Sequence, residues 1–226
     1  MRAVERYSDP LLGGFYTVTE AMRLLRISNK QRIYRWIGRD NAVLSRDYEP
    51  IGASQELSFW DLFEVRFVET FRAQGLSLQY LRKVATKARA EFGVKHPFAL
   101  STAKYMTDRK RIFQVTAKET GEKTHDVLSG QYEMYEAIEQ ILAKNVGFNP
   151  KTLLAEEWPP FSDCPHVVIN PRYAYGRPVV GEKKVPTAAL YRTWKAEGRI
   201  ERVASWYGIN VDSAREAVEF EVRLNS

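Results

Sequence analysis

The chain has 226 residues, 44% of them hydrophobic and 27% charged, enough to bury a core in one large domain or two or three small ones. Its 34 basic and 28 acidic side chains leave a net charge of +6, and a single cysteine, Cys164, excludes both a disulfide framework and a thiolate metal cluster within one chain. Met1 to Pro10 carries acids and no signal-peptide apolar core, and nowhere do about eighteen apolar residues run together, so a cytoplasmic protein with no membrane span is expected.

Residues 1–95 hold 16 basic and 11 acidic side chains, residues 96–165 hold 8 and 10, and residues 166–226 hold 10 and 7. The concentration peaks between Arg23 and Arg46, where Arg23, Arg26, Lys30, Arg32, Arg35, Arg39 and Arg46 face Asp40 alone. Such a cluster draws polyanions by neutralising phosphates and releasing counterions. A solvated basic face is the plainer alternative.

In chain order, Thr17 with Glu20 satisfies a capping box, or Thr19 caps alone, ahead of an apolar face of Ala21, Leu24 and Leu25. Ser28-Asn-Lys-Gln31 forms a second box that opens a helix to about Ile37. Two short helices so tightly joined suggest a helix-turn-helix. Winding the second puts Ile33, Trp36 and Ile37 inside and turns Gln31 and Arg35 outward, with Arg32 and Arg39 beside them. Arg reads guanine edges and Gln reads adenine in the major groove, so Lys30, Gln31, Arg32, Arg35, Arg39 and Arg46 form the candidate DNA-binding set. Within it Arg35 and Gln31 are the base readers, unless Gln31 is spent on capping. Lys30 and Arg46, like Arg23, serve as phosphate contacts or plain surface.

Asp47 to Ser58, with Pro50, Gly52 and Ser54, reads as a wing hairpin. Ser58 then opens a helix in which Phe59, Phe63, Phe67 and Phe71 recur every four residues as a core stripe. Helix, helix, wing and the run Phe71 to Arg82, with Gly75-Leu-Ser-Leu at its centre, resemble the MerR-type winged helix over about residues 15–90. No long heptad helix follows Glu91 and no cysteine set is present, so MerR-style metal sensing is not implied.

Farther on, Arg111 to Ala117 alternates like a strand, Thr120-Gly121 marks a turn and Met134 to Leu142 has helical spacing, which together suggest a small α+β insert. His96, His125 and His166 have no partner ligands at metal-site spacing, so neither a metal nor a cofactor is expected. Asn149 to Pro165 holds four of the ten prolines and reads as a linker, although Trp158 and Phe161 imply that it packs on something.

From His166 an extended lead-in reaches Thr187, which is expected to cap a helix that turns Leu190, Tyr191 and Trp194 inward. A second helix runs from about Ile200 to Tyr207, and a third from Val211 to Leu224 with Asp212 as its cap. That pair is itself a helix-turn-helix pattern, but Glu216, Glu219 and Glu221 oppose Arg215 and Arg223, which favours protein contact over DNA. The expected fold class is therefore mainly α with small β elements (α+β). It divides into a winged helix-turn-helix at 1–95, a small α+β insert at 96–148, a proline-rich linker at 149–165 and a three-helix, helix-turn-helix-like domain at 166–226.

Residues 166–223 resemble a small domain found in antitoxins encoded beside PIN-like ribonucleases. The matching residues are Pro171, Gly176, Arg177, Pro178, Val180, Val185, Pro186, Thr187, Gly198, Val203, Ala204, Tyr207, Ala217, Val218 and Glu221. The whole arrangement is similar to one branch of VapB-type antitoxins. That resemblance implies three partners: a cognate PIN-like toxin, double-stranded operator DNA and a second copy of the chain in a homodimer. Arg177, Pro178, Tyr207 and Arg215 are the candidate contacts for the toxin or the second copy. A stand-alone MerR-like regulator sensing a small molecule is the alternative. An enzyme is disfavoured, because no Ser/His/Asp set, phosphate loop or carboxylate pair stands out and no catalytic residue is assigned.

Overall fold

The computed structural model describes residues 13–38, 42–50, 52, 54–120, 142 and 144–226, with backbone alone for 102–110. The fold is mainly α with small antiparallel β elements. Contacts divide the chain into two compact units: the described parts of Met1–Ser28, Tyr48–Phe59 and Glu156–Ser226, and the described parts of Asn29–Asp47 and Trp60–Ala155. Among the described residues no helix is long and apolar enough to cross a membrane.

In the first unit, β1 (Tyr16–Thr17) pairs antiparallel with β2 (Glu56–Leu57), setting Tyr16 opposite Leu57 and burying both. The segment expected to form a wing thus gives its strand to β1. The capping box forms as its spacing predicts: Glu20 N–H donates to Thr17 Oγ1 and Thr17 N–H to the Glu20 carboxylate, opening α1 (Val18–Leu24). Farther along, β5 (Val167–Val168), β6 (Val179–Val180) and β7 (Val185–Pro186) make a three-stranded antiparallel sheet. Three helices follow: α6 (Thr187–Glu197), α7 (Ile200–Tyr207) and α8 (Val211–Leu224). Leu190, Val203, Ala204, Ala214, Ala217 and Phe220 fill the core between them. Gly198 and Gly208 end α6 and α7 in the left-handed conformation that glycine adopts without penalty.

Three caps differ from the sequence reading, the first being Asn29, which caps the Lys30–Ile37 helix in place of the expected Ser28 box. Thr187 is the first residue of α6 rather than its cap, and its hydroxyl turns inward to Glu221. Asn210, not Asp212, caps α8, accepting from Ser213 N–H at 2.6 Å. Asn and Asp cap about equally well, so composition alone does not choose between them. The proline-rich stretch does pack: Trp158 and Phe161 are buried, and Phe161 lies 4.7 Å from the Phe220 ring.

The second unit starts with α2 (Lys30–Ile37) and is built mainly on α3 (Phe59–Ala73, from Trp60), α4 (Leu78–Phe92) and α5 (Thr102–Thr120). Phe63, Phe67 and Phe71 are buried as the four-residue spacing predicts, and Phe67 stacks on Phe98 at 4.1 Å. Ser77 caps α4 by accepting from Tyr80 N–H. After Pro97–Ala99, a short 3-10 turn, α5 replaces the expected strand at Arg111 to Ala117. Ile112, Phe113, Thr116 and Ala117 are buried there while Val115 is exposed, which is a helical period. Thr116 settles into the helix by donating its hydroxyl to the Ile112 carbonyl at 2.7 Å. Beyond α5 come β3 (Gly147–Phe148) and β4 (Ala155–Glu157), where the chain passes back to the first unit. The expected helix from Met134 lies outside the described residues except for Leu142.

Candidate nucleic-acid and partner surfaces

Asn29 opens α2, with its side-chain oxygen accepting from Gln31 N–H at 2.8 Å. The cap uses the backbone of Gln31 and leaves its side chain exposed. Ile33, Trp36 and Ile37 are buried as their spacing predicts. On the solvent side Lys30, Gln31 and Arg35 are exposed, and among the described residues neither cation has an ion-pair partner. Gln31 and Arg35 sit one turn apart on one face, a rise of about 6 Å.

The rest of the expected DNA-binding set is placed differently. Arg32 is half-buried, 2.7 Å from Glu69 and 5.4 Å from the Trp36 ring. Arg46 is also half-buried, with Nη1 enclosed and, among the described residues, without a hydrogen-bond partner. Arg39 lies outside the described residues. Of the neighbouring cations, Arg26 lays its guanidinium 4.1 Å from the Phe161 ring within the first unit.

A second surface is built around Arg172 to Pro178. Ala174 and Tyr175 hold φ of 48° and 57°, left-handed values that cost an ordinary residue about 1–2 kcal/mol each. Gly176 follows at φ 83°, and the buried Tyr16 hydroxyl donates to its carbonyl at 2.6 Å. Burial, with the nearby Tyr48 and Glu20, pushes the Tyr16 phenol well above its usual range, so it stays a donor at neutral pH. The locked loop leaves Tyr175 61% exposed and Arg177 exposed 3.5 Å from Glu20. Beside it lies a groove of about 210 Å³ walled by Phe15, Leu24, Pro178 and Pro186, with Thr187 and Glu221 among its lining residues. The Thr187 hydroxyl donates to Glu221 Oε1 at 2.5 Å.

Of the four expected partner contacts, Arg177 and Pro178 line this groove. Tyr207 and Arg215 are not among its lining residues. The Tyr207 hydroxyl is hydrogen-bonded to Thr193 at 2.9 Å, and Arg215 is paired with Asp212 at 2.8 Å.

One cluster was not visible in the sequence, because its members are 14 and 35 residues apart. In the second unit, His96 Nε2 lies 2.9 Å from Asp47 Oδ1, and His96 Nδ1 lies 3.3 Å from Glu64 Oε2 and 3.9 Å from Asp61 Oδ1. Asp47, Asp61 and His96 offer three ligand atoms within 4.8 Å of one another, the geometry a small cation would need. Both ring nitrogens are nevertheless engaged by carboxylates, and Lys95 Nζ also reaches Asp47 Oδ1 at 2.9 Å. Burial alone would lower the His96 pKa, but hydrogen bonds to Asp47 and Glu64 and the charges of Glu64 and Asp61 outweigh it and raise it to about 10. The arrangement is a buried imidazolium held by carboxylates. Elsewhere, His166 is paired with Glu216, and His125 lies outside the described residues.

No family model matches the chain. In sequence it is 28% identical, over a 236-residue alignment covering 95% of each protein, to "Putative antitoxin VapB45" of Mycobacterium tuberculosis. In fold it is similar to the X-ray crystal structure of Rv2018 from Mycobacterium tuberculosis, with a TM-score of 0.70 and 25% identity, covering 90% of this chain and 96% of that one. The likeness in sequence and in fold therefore runs nearly end to end.

Proposed function

We propose that this protein is an antitoxin that binds and inhibits a PIN-like ribonuclease toxin and, as a cytoplasmic homodimer, represses the operon encoding both. The single observation that carries this reading is the 28% identity to "Putative antitoxin VapB45" across 95% of both chains. The protein acts by binding rather than by catalysis. On DNA, α2 enters the major groove, where Arg35 makes a bidentate contact to guanine, Gln31 pairs with adenine and Lys30 neutralises a phosphate. The exposure of these three side chains supports that assignment. Arg32, held by Glu69, sets the edge of the contact rather than its centre. Toxin is met by the rigid loop carrying Tyr175, Arg177 and Pro178, since exposed Tyr and Arg on a preorganised backbone suit a protein partner.

Co-expression with the product of the neighbouring gene tests the first half: the pair co-purifies and growth is rescued. For the second half, Arg35→Ala costs about 1–3 kcal/mol at the preferred operator and relaxes sequence preference there. An unchanged gel-shift titration would remove α2 as the reading helix.

A further inference from the structure

On α6, Ala188, Arg192, Lys195 and Ala196 are exposed along one face, while Thr187 and Leu190 are buried. Arg199, just past the left-handed Gly198 that ends the helix, is exposed as well. Among the described residues none of these three cations has an ion-pair partner, and Lys195 rests 5.1 Å from the Tyr191 ring. The one acid of α6, Glu197, is occupied by Arg202 at 2.5 Å. Arg192 and Lys195 lie one turn apart, a rise of about 4.5 Å.

A cation near a helix C-terminus also offsets the helix dipole, which would account for Lys195 and Arg199. It does not account for Arg192, a turn earlier, or for an exposed face with no acid on it. Protein interfaces centre on apolar anchors, and the only apolar side chains fully exposed on α6 beside these cations are the small ones of Ala188 and Ala196. Phosphate contacts need no such anchor.

We infer that Arg192, Lys195 and Arg199 form a second duplex-DNA contact, a sequence-independent phosphate clamp separate from the α2 reading surface. The inference rests on the reading that the chain binds duplex DNA. Three phosphate contacts contribute about 2.7 to the slope of log affinity against log salt. Between about 50 and about 200 mM salt, that slope corresponds to about a 40-fold loss of affinity.

The test uses the full chain and a labelled mixed-sequence duplex of about 30 base pairs, followed by fluorescence anisotropy across that salt range. The R192A/K195A/R199A variant is expected to show a slope shallower by about 2.7. Alanine suits exposed helix positions, and unchanged circular dichroism confirms folding. The charge-reversed R192E/K195E pair lowers affinity further. A variant with the wild-type slope overturns the clamp, and if Arg35→Ala weakens binding in the same assay, α2 stands without it. Unchanged duplex binding with lost capture of the co-expressed toxin also overturns it and makes the face a protein interface. If the wild-type chain itself does not bind the duplex, clamp and α2 reading fall together.

Discussion

In the unit built on α3, α4 and α5, a buried polar cluster is ionic: His96, 3% exposed, is surrounded by Asp47, Asp61 and Glu64. In the unit built on α6, α7 and α8, the deep contacts are short hydrogen bonds from hydroxyls, Tyr16 to the Gly176 carbonyl and Thr187 to Glu221. A charged network is costly to break from one side and sensitive to pH. The Tyr16 lock is insensitive to pH near neutrality, because its phenol is held well above the usual range, but it is intolerant of volume. The two units hold comparable cores with different vulnerabilities.

The largest effect expected from this contrast belongs to His96→Ala. It leaves three carboxylates facing a void, a loss of about 3–5 kcal/mol, and hydrogen exchange should show protection falling over α3 and α4. Equal loss over α6 and α8 would erase the distinction. The same residue gives the pH test. Its folded pKa of about 10 lies above the ordinary 6.5, so its stabilisation is complete below pH 6.5 and fades as pH rises toward 10. Urea midpoints for wild type should fall across that window, and those of His96→Ala should not fall with them. Parallel curves would mean that the imidazolium contributes nothing.

Next in size is Gly176→Ala. A Cβ there would lie 2.3 Å from the Tyr16 hydroxyl on a backbone at φ 83°, so a loss of about 2–3 kcal/mol is expected in thermal unfolding. Adding Tyr16→Phe should restore part of it, and a double variant no better than the single would place the damage in the backbone alone. The smallest effect is Thr187→Val, which strips Glu221 Oε1 of its donor at a cost of about 1–2 kcal/mol, read from the same melts.

Patterns local in the chain were legible in the sequence. Thr17 with Glu20 and the phenylalanines spaced by four lie within a few helical turns, where spacing and structure are nearly the same information. The inner face of α2, with Ile33, Trp36 and Ile37, was legible for the same reason. Contacts between distant segments were not. The pairing of Tyr16 with Leu57, the loss of Arg32 to Glu69 and the gathering of Asp47, Asp61 and His96 depend on folding, which no local period encodes. Arg111 to Ala117 reads as a strand and folds as a helix because, over seven residues, alternation and a helical period share most of their apolar positions. The basic face of α6 is local too, since Arg192 and Lys195 are a helical turn apart in the sequence.

The hydrogen bond from Tyr16 to Gly176 joins residues 160 positions apart. On a ribosome adding about 5–20 residues per second, the acceptor arrives roughly 8–30 seconds after the donor. Until then β1 and α1 have emerged without the C-terminal partners of their own unit, Asn29 to Ala155 must be made in between, and the nascent chain carries exposed apolar surface. Slow, late closure of this kind makes the newborn protein a better substrate for chaperones and proteases than the finished one. The abundance of the folded protein would then depend on how fast its last third is translated.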